Sequence, residues 1–187
     1  MKRIETSALA PGLALAGLAL AQPWLEQRVL THMLVELPLL FAIGAWAASR
    51  LRGHGPAWFA AIDANGLTGL TVAMLVSAFW MLPIALDAAV LVPAIGLAKI
   101  ASALLAGWCA VLSLRRARTA VQAFFVLNWV WMTGAVGAMY QQAPERLCST
   151  YLQGDQAHAG IGLVVLAIVV AIAWVTTTFR DREVPDA

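Results

Sequence analysis

The chain has 187 residues, of which 61% are hydrophobic and only 12% are charged, and its formal net charge is +2. A soluble domain carries about twice that charged fraction, so the composition excludes an ordinary soluble globular protein. No basic patch is interleaved with aromatic residues, and nothing therefore predicts nucleic-acid binding. The composition predicts an all-α protein that is embedded in a membrane.

Six apolar segments predict a transmembrane helix bundle that forms one domain over residues 1–187. Runs of 18 or more apolar residues are typical of membrane spans. The last of these segments, "AGIGLVVLAIVVAIAWVTTTF", carries no charge at all. The predicted spans, in chain order, cover about 7–24, 33–49, 66–86, 88–114, 119–140 and 159–179.

The distribution of Lys and Arg predicts the orientation, because basic residues collect on the cytoplasmic side of a membrane. Only Arg28 and Arg146 fall on the opposite side, and Lys99 lies within a span. The nine remaining basic residues share one side: Lys2, Arg3, Arg50, Arg52, Arg115, Arg116, Arg118, Arg180 and Arg182. Both chain termini are therefore predicted to be cytoplasmic.

The first apolar segment has an alternative interpretation, since "MKR" and an "ALA" before Gln22 also fit a cleavable signal peptide. Either way, residues 22–31 are predicted to be extracytoplasmic. Cys109 lies towards the cytoplasmic end of the fourth span, whereas Cys148 lies in the external loop 141–158. These two cysteines are therefore not expected to form a disulfide.

Two pairs of polar residues are predicted to meet at the external face of the bundle. His32 begins the second span and Glu36 follows one helical turn later, while Asp155 and His158 are three residues apart at the start of the sixth. Imidazole, thioether and thiolate are ligands of soft or borderline metals, Cu(I) in particular, and a carboxylate often orients the imidazole. We therefore expect His32 and His158 to share one metal ion, most simply copper. Glu36 and Asp155 would complete or orient this site, with Met33 and Cys148 as weaker candidate ligands.

Each of these residues also has a purely structural interpretation. His32 would be an interfacial polar residue, Asp155 the N-cap of the sixth span, Met33 a packing residue and Asp87 a residue of the tight external turn. Lys99 and Asn128 fall near the predicted mid-bilayer and would pair structurally. A buried ion pair between Glu36 and Lys99 would explain both residues without a metal. In every interpretation, Glu36 is expected to face the bundle interior, because a lipid-exposed carboxylate costs about 2.5–3.5 kcal/mol.

Two short segments resemble a known family. "HMLVELPLL" resembles the "QHML" segment, followed by a proline, of CtaG-type cytochrome c oxidase assembly proteins, and "LQGDQAHAGIGLVV" resembles their "DQ–x–x–AG" segment. His32, Asp155 and Gln156 match these motifs, whereas His158 does not clearly belong to them. Family members have more spans and further histidines in the central helices, and "FWMLPIALDAAV" here has none. The resemblance implies a bacterial inner-membrane factor that helps to load copper into a haem–copper oxidase.

Three functions follow as hypotheses. The first is a copper-handling or oxidase-assembly protein, not itself an enzyme, that exchanges the metal with an oxidase subunit or a periplasmic copper chaperone. The second is a membrane cytochrome in which His32 and His158 are the axial ligands of a haem. The third is an accessory subunit or small transporter in which Glu36, Lys99 and Asn128 form a polar track. The sequence contains no P-loop, dinucleotide fingerprint or nucleophile–base pattern, so catalysis is not expected.

Overall fold

The structure is a computed structural model that describes residues 2–51, 55–145, 147, 148 and 151–180, with side chains from residue 10 onward except at 153. Every regular element in these ranges is helical, as the sequence predicts. The helices are α1 (Lys2–Leu25), α2 (Val29–Thr31), a π-helical turn (His32–Glu36), α3 (Leu37–Ser49), α4 (Ala57–Ile62), a 3-10 turn (Ala64–Gly66), α5 (Leu67–Trp80), α6 (Pro83–Leu91), α7 (Pro93–Leu114), α8 (Thr119–Gln142) and α9 (Gln153–Arg180).

Four helices in the described part of the chain are long and apolar enough to cross a membrane. They are Val29–Ser49, which joins α2, the π turn and α3, then Pro93–Leu114, Thr119–Gln142 and Gly154–Arg180. A fifth crossing results if Ala64–Trp80 and Pro83–Leu91, which are bent by 78° to each other, count as one span. Within the residues whose side chains are described, Ala10–Leu25 of α1 is a shorter apolar helix. The structure is thus that of a helical membrane protein with four or five candidate spans.

The helices break before Pro83 and Pro93, so the predicted boundaries of the third and fourth spans need correction. Leu82 and Val92 are extended (φ −75°, ψ 128° and φ −121°, ψ 108°), and each precedes a proline that begins a helix. A residue before proline is driven out of the α conformation, so the apolar run breaks at both places. The predicted spans 66–86 and 88–114 are therefore wrong at their junction. Asp87, which was expected in a tight turn, lies inside α6.

The π turn arises where Pro38 interrupts the hydrogen-bond ladder of the helix. Proline has no N–H to donate to the Leu34 carbonyl, and its ring crowds that carbonyl. The chain responds with a wider turn, in which the Leu37 N–H donates to the His32 carbonyl five residues back. Both His32 and Glu36, the first and last residues of this turn, are buried in the bundle.

Helices α3 and α7 run in the same direction and approach each other closely. Glu36 meets Lys99 near the start of both, and Ala48 packs on Leu112 near their ends. Two glycines permit the approach, because a Cβ on Gly44 would collide with the Leu104 carbonyl oxygen and one on Gly107 with the Phe41 carbonyl oxygen. Small residues at a helix interface allow such backbone contact in membranes.

The described basic residues that predict orientation gather at one end of this bundle. Arg115 donates to the carbonyls of Ser49 and Leu51, which ties the ends of α3 and α7 together. We call this the Arg116 end, and the opposite end, where α7 and α9 begin, the His32 end. Arg52, Arg146, Arg182 and the loop residue His54 lie outside the described residues.

Candidate functional site

The ammonium group of Lys99 is the centre of a buried ionisable cluster at the His32 end. Its Nζ lies 2.6 Å from Glu26 Oε1, 2.5 Å from Glu36 Oε1 and 3.0 Å from His32 Nε2. A lysine ammonium has three N–H donors, and these three acceptors use all of them. The Lys99 side chain is 0% exposed to solvent and that of Glu36 is 2% exposed. Glu26, His32, Glu36, Lys99 and Tyr151 together form what we call the Lys99 cluster.

Four separate segments deliver the side chains of this cluster. Glu26 follows the last residue of α1, and His32 and Glu36 come from the π turn. Lys99 lies six residues after the start of α7, about 9 Å along the helix. It is therefore nearer the His32 end of its helix than the sequence predicted, because α7 begins at Pro93 and not at residue 88. Tyr151 precedes the first turn of α9.

His32 is held at both of its ring nitrogens. Because Lys99 donates to Nε2, the neutral imidazole carries its hydrogen on Nδ1. Nδ1 lies 2.6 Å from the Tyr151 hydroxyl oxygen, which then accepts this hydrogen bond. The His32 side chain is fully buried. These contacts fix the ring and its tautomer.

Glu36 carries a buried acceptor that its neighbours in the cluster leave unused. Its Oε2 is buried and has no hydrogen-bond partner among the described residues, although His32 Nε2 lies 3.6 Å away. Buried polar atoms without a partner are uncommon, and each one calls for an explanation. With Glu26 and Glu36 ionised, Lys99 protonated and His32 neutral, the cluster carries a net charge of −1. A net charge in a low-dielectric interior is costly, and one proton near Oε2 would neutralise it.

Glu26 connects the cluster with solvent, since its side chain is 15% exposed. Burial opposes its ionisation, but hydrogen bonds from Lys99 and from Gln22 Nε2 (2.9 Å) and the Lys99 charge outweigh this effect. The pKa of Glu26 is therefore held below its ordinary value. Sequence reasoning missed Glu26 because it precedes the predicted span. The available signal was its position six residues before His32, in the same segment 22–31 that was predicted to be extracytoplasmic.

The structure does not bring the two predicted histidines together. His158 is exposed on α9, where its Nδ1 lies 2.8 Å from the carbonyl oxygen of Gly154. Among the described residues, the potential metal-ligand atoms that lie within 4.8 Å of one another belong to Glu26, His32 and Glu36. His158 and Asp155 are not part of this group. The expected ion shared by His32 and His158 therefore has no site in this arrangement.

The two sulfur candidates are buried in the hydrophobic core and not in the cluster. Met33 and Cys148 pack in the same apolar group as Tyr140. Cys148 Sγ lies 3.9 Å from both the Tyr140 hydroxyl and the Pro83 carbonyl oxygen. Burial raises the pKa of Cys148 to about 11, with a hydrogen bond from Tyr140 opposing the rise and the Asp87 charge adding to it. A thiol with this pKa is a poor metal ligand at neutral pH.

The polar residues expected to be structural contact other parts of the bundle. Gln156 orders the loop before α9, since its Oε1 accepts from the Leu147 N–H (2.8 Å) and its Nε2 donates to the Tyr140 carbonyl (3.2 Å). The Asn128 amide donates to Met74 Sδ at 3.7 Å, and the predicted pairing with Lys99 is wrong. Asp87 is half-buried in α6. Of these residues, only Lys99 belongs to the cluster.

Neither copper nor haem fits this cluster as it is arranged. The three grouped ligands are two carboxylates and one imidazole, whereas Cu(I) prefers sulfur. Lys99 Nζ lies within 3.0 Å of all three, in the space that a shared ion would need. For a haem with two histidine ligands, His32 has both ring nitrogens engaged and His158 is exposed.

A second buried carboxylate, Asp63, lies at the Arg116 end and is fully paired. Its Oδ1 accepts from the Gly69 N–H at 2.9 Å, and its Oδ2 accepts from Ser113 Oγ and Arg116 Nη1, each at 2.9 Å. These bonds join the start of α5 to the end of α7. Asp63 is therefore a structural residue, in contrast to Glu36 with its unpaired oxygen.

Comparison with known proteins finds no matching family model, no matching curated protein and no matching solved structure.

Proposed function

We propose that this protein is a non-enzymatic membrane protein that binds and releases one proton at the Lys99 cluster, as a small transporter or accessory subunit. The observation that carries this proposal is the buried Glu36 Oε2, which has no hydrogen-bond partner among the described residues and lies 3.6 Å from His32 Nε2. Ionisable residues inside a membrane span are expensive and usually serve function.

The proton would reside between Glu36 Oε2 and His32 Nε2. If it binds to Nε2, the imidazole no longer accepts from Lys99 and donates to Oε2 instead, while Lys99 keeps its two carboxylate partners. If it binds to Oε2, Glu36 donates to Nε2 in place of Lys99, and the carboxyl becomes neutral. In both cases the net charge of the cluster changes from −1 to zero. Glu26, which is partly exposed, provides the exchange route with solvent.

The ionisable residues of the cluster lie at one end of the bundle and do not continue as a polar track along α7. Beyond Lys99, the buried residues of α7 as far as Ser113 are small or apolar, including Ala103, Ala106 and Cys109. This favours protonation that controls a conformation or a partner over a proton channel. We place the His32 end on the extracytoplasmic side of a bacterial inner membrane, with six spans and both termini cytoplasmic. Thiol labelling of Arg118→Cys from inside only, in a chain without its native cysteines, would support this orientation, and labelling from outside would reverse it.

Proton uptake by the purified protein in lipid nanodiscs tests the proposal. An indicator dye counts the protons taken up between neutral and mildly acidic buffer, above the range in which exposed carboxylates titrate (about pH 4.3). Glu36→Gln neutralises the cluster, so this variant should take up one proton fewer than the wild type. Glu145→Gln removes an exposed carboxylate and is the matched control. Equal uptake by Glu36→Gln and the wild type would refute the proposal.

Metal handling is the second candidate, because three ligand atoms lie within 4.8 Å of one another. A divalent ion with nitrogen and oxygen ligands would have to displace Lys99. Lys99→Met should then increase the affinity for Zn²⁺ or Cu²⁺, and His32→Ala should abolish it. Calorimetry that finds tight Cu(I) binding in the wild type but not in His32→Ala would favour copper handling over the proton proposal.

A further inference from the structure

An apolar cavity of about 360 Å³ lies within the bundle, between α3, α5 and α7 on one side and α8 and α9 on the other. Its walls include Phe41, Ala73, Trp80, Ala106, Val126 and Trp129. Pockets of about 300–1,000 Å³ with mainly hydrophobic walls are the size class that binds small molecules.

Water is a poor occupant of this cavity. Ser77 and Trp80 carry polar groups in its wall, but Ser77 Oγ already donates to the Ala73 carbonyl and Trp80 Nε1 to Ser102 Oγ. A buried water needs two to four polar partners, and cavities lined by hydrocarbon do not hold it. The occupant must therefore be apolar.

The shape of the cavity indicates what kind of apolar group it takes. Its lining on α7 extends from Ala103 to Leu114, which is about 16 Å along the helix axis. A single extended hydrocarbon chain is long and thin enough to follow this lining along the helix axis.

We propose that this cavity binds one acyl chain of a membrane phospholipid between the two parts of the bundle. The cavity runs parallel to helices that are themselves long and apolar enough to span a bilayer, so phospholipid chains surround it and share its direction. The chain would contact Met33, Leu37 and Pro38 on α3 and the preceding π turn, and Leu163 and Leu166 on α9. It would thereby bridge two groups of helices that leave this space unfilled between them. This inference is independent of the proton proposal.

Photo-crosslinking tests the proposal directly. The protein is incorporated into phosphatidylcholine vesicles that contain a phospholipid with a diazirine near the end of one acyl chain. It is then extracted in detergent and washed free of surface lipid before irradiation. We expect the retained label on cavity residues such as Met74 and Trp129. Label confined to lipid-facing residues such as Leu105 and Ile168, or no retained label, would overturn the proposal.

Two variants on neighbouring positions of α7 make the test specific. Ala106→Phe places a ring in the space that the acyl chain would occupy and should reduce the label by about tenfold or more. Leu105→Phe adds a ring to the exposed side of the same helix and should leave the label unchanged. Undiminished label in Ala106→Phe refutes the site. If that variant does not elute as a single folded species, Val126→Phe on the opposite wall replaces it. An isoprenoid quinone in the organic extract, in place of phospholipid, would also overturn the assignment.

Discussion

Lys99 and Glu36 form an ion pair, with 2.5 Å between Nζ and Oε1, in which neither side chain is more than 2% exposed. The pair joins the second turn of α7 to the π turn before α3. It explains why an otherwise apolar span carries a carboxylate, since the negative charge faces a cation and not lipid. The same pair leaves the second oxygen of Glu36 without a partner, which distinguishes it from a purely structural salt bridge.

Removal of the central cation should destabilise the protein strongly. Lys99→Met leaves Glu26 and Glu36 without their shared partner, and an uncompensated buried charge costs about 3–5 kcal/mol. Thermal unfolding in detergent should show a large drop in melting temperature. The double variant Lys99→Met, Glu36→Leu should recover part of the loss, because it also removes the unpaired charge. Arg118→Met, at an exposed cationic position, is the control and should change little.

The Tyr151 hydroxyl should contribute to stability through His32. Tyr151→Phe leaves Nδ1 of His32 without its partner, and an unsatisfied buried group costs about 1–3 kcal/mol. Tyr140→Phe is the matched comparison, since the Tyr140 hydroxyl lies 3.9 Å from the Cys148 sulfur and a hydrogen bond of this length to sulfur is weak. Chemical denaturation should therefore rank Tyr151→Phe as the less stable variant. The reverse order would contradict the assigned hydrogen bond.

Glu26 should make stability depend on pH in the acidic range. Its pKa in the folded protein is lowered below the ordinary value of 4.5, so the folded state favours the carboxylate. This contribution is complete above pH 4.5 and is lost as the pH falls from 4.5 through the folded-state pKa. Glu26→Gln should flatten the dependence of melting temperature on pH in that window. An unchanged slope in this variant would count against the Lys99–Glu26 contact.

Cys148 should react slowly with thiol reagents at neutral pH. Its pKa of about 11 leaves little thiolate, and the rate of modification should rise with pH until about pH 11. A Cys109→Ala background isolates this thiol. Tyr140→Phe removes the hydrogen bond that lowers the pKa, so the profile should move to still higher pH. Rapid labelling at pH 7 would show that Cys148 is not buried as described.

The sequence predicted an all-helical protein with apolar helices, because long apolar runs indicate membrane spans, but it did not predict where those runs break. It placed Glu36 in the interior and named Lys99 as a partner that would make a metal unnecessary, and the structure confirms this pair. The break before Pro83 and the start of α7 at Pro93 were also readable, since a proline restricts the residue before it. Because each of these prolines lies within an apolar run, no predicted span ended at either of them. Lys99 was consequently placed too far from the start of its helix.

The orientation of His158 could not be read from its spacing to Asp155. Because Asp155 and His158 are three residues apart, they lie on similar sides of a helix. Which side faces the bundle, however, depends on packing. In the structure, Gly160 packs against the Gly137 carbonyl, and this contact turns His158 outward. Glu26 was missed for the opposite reason, because it is brought to Lys99 by a contact between residues 73 positions apart.

The glycine contacts between α3 and α7 have a mechanical consequence. With Gly44 and Gly107 in direct contact with the opposing backbone, no side-chain layer separates these two helices at these two positions, and they resist relative movement there. A change of charge at Lys99 therefore cannot be relieved by their sliding apart. The change in charge would instead act on the segments that contact the cluster from outside this helix pair, through Glu26 after α1 and Tyr151 before α9. Through these two contacts, the binding of a single proton would change the positions of α1 and α9 relative to α3 and α7.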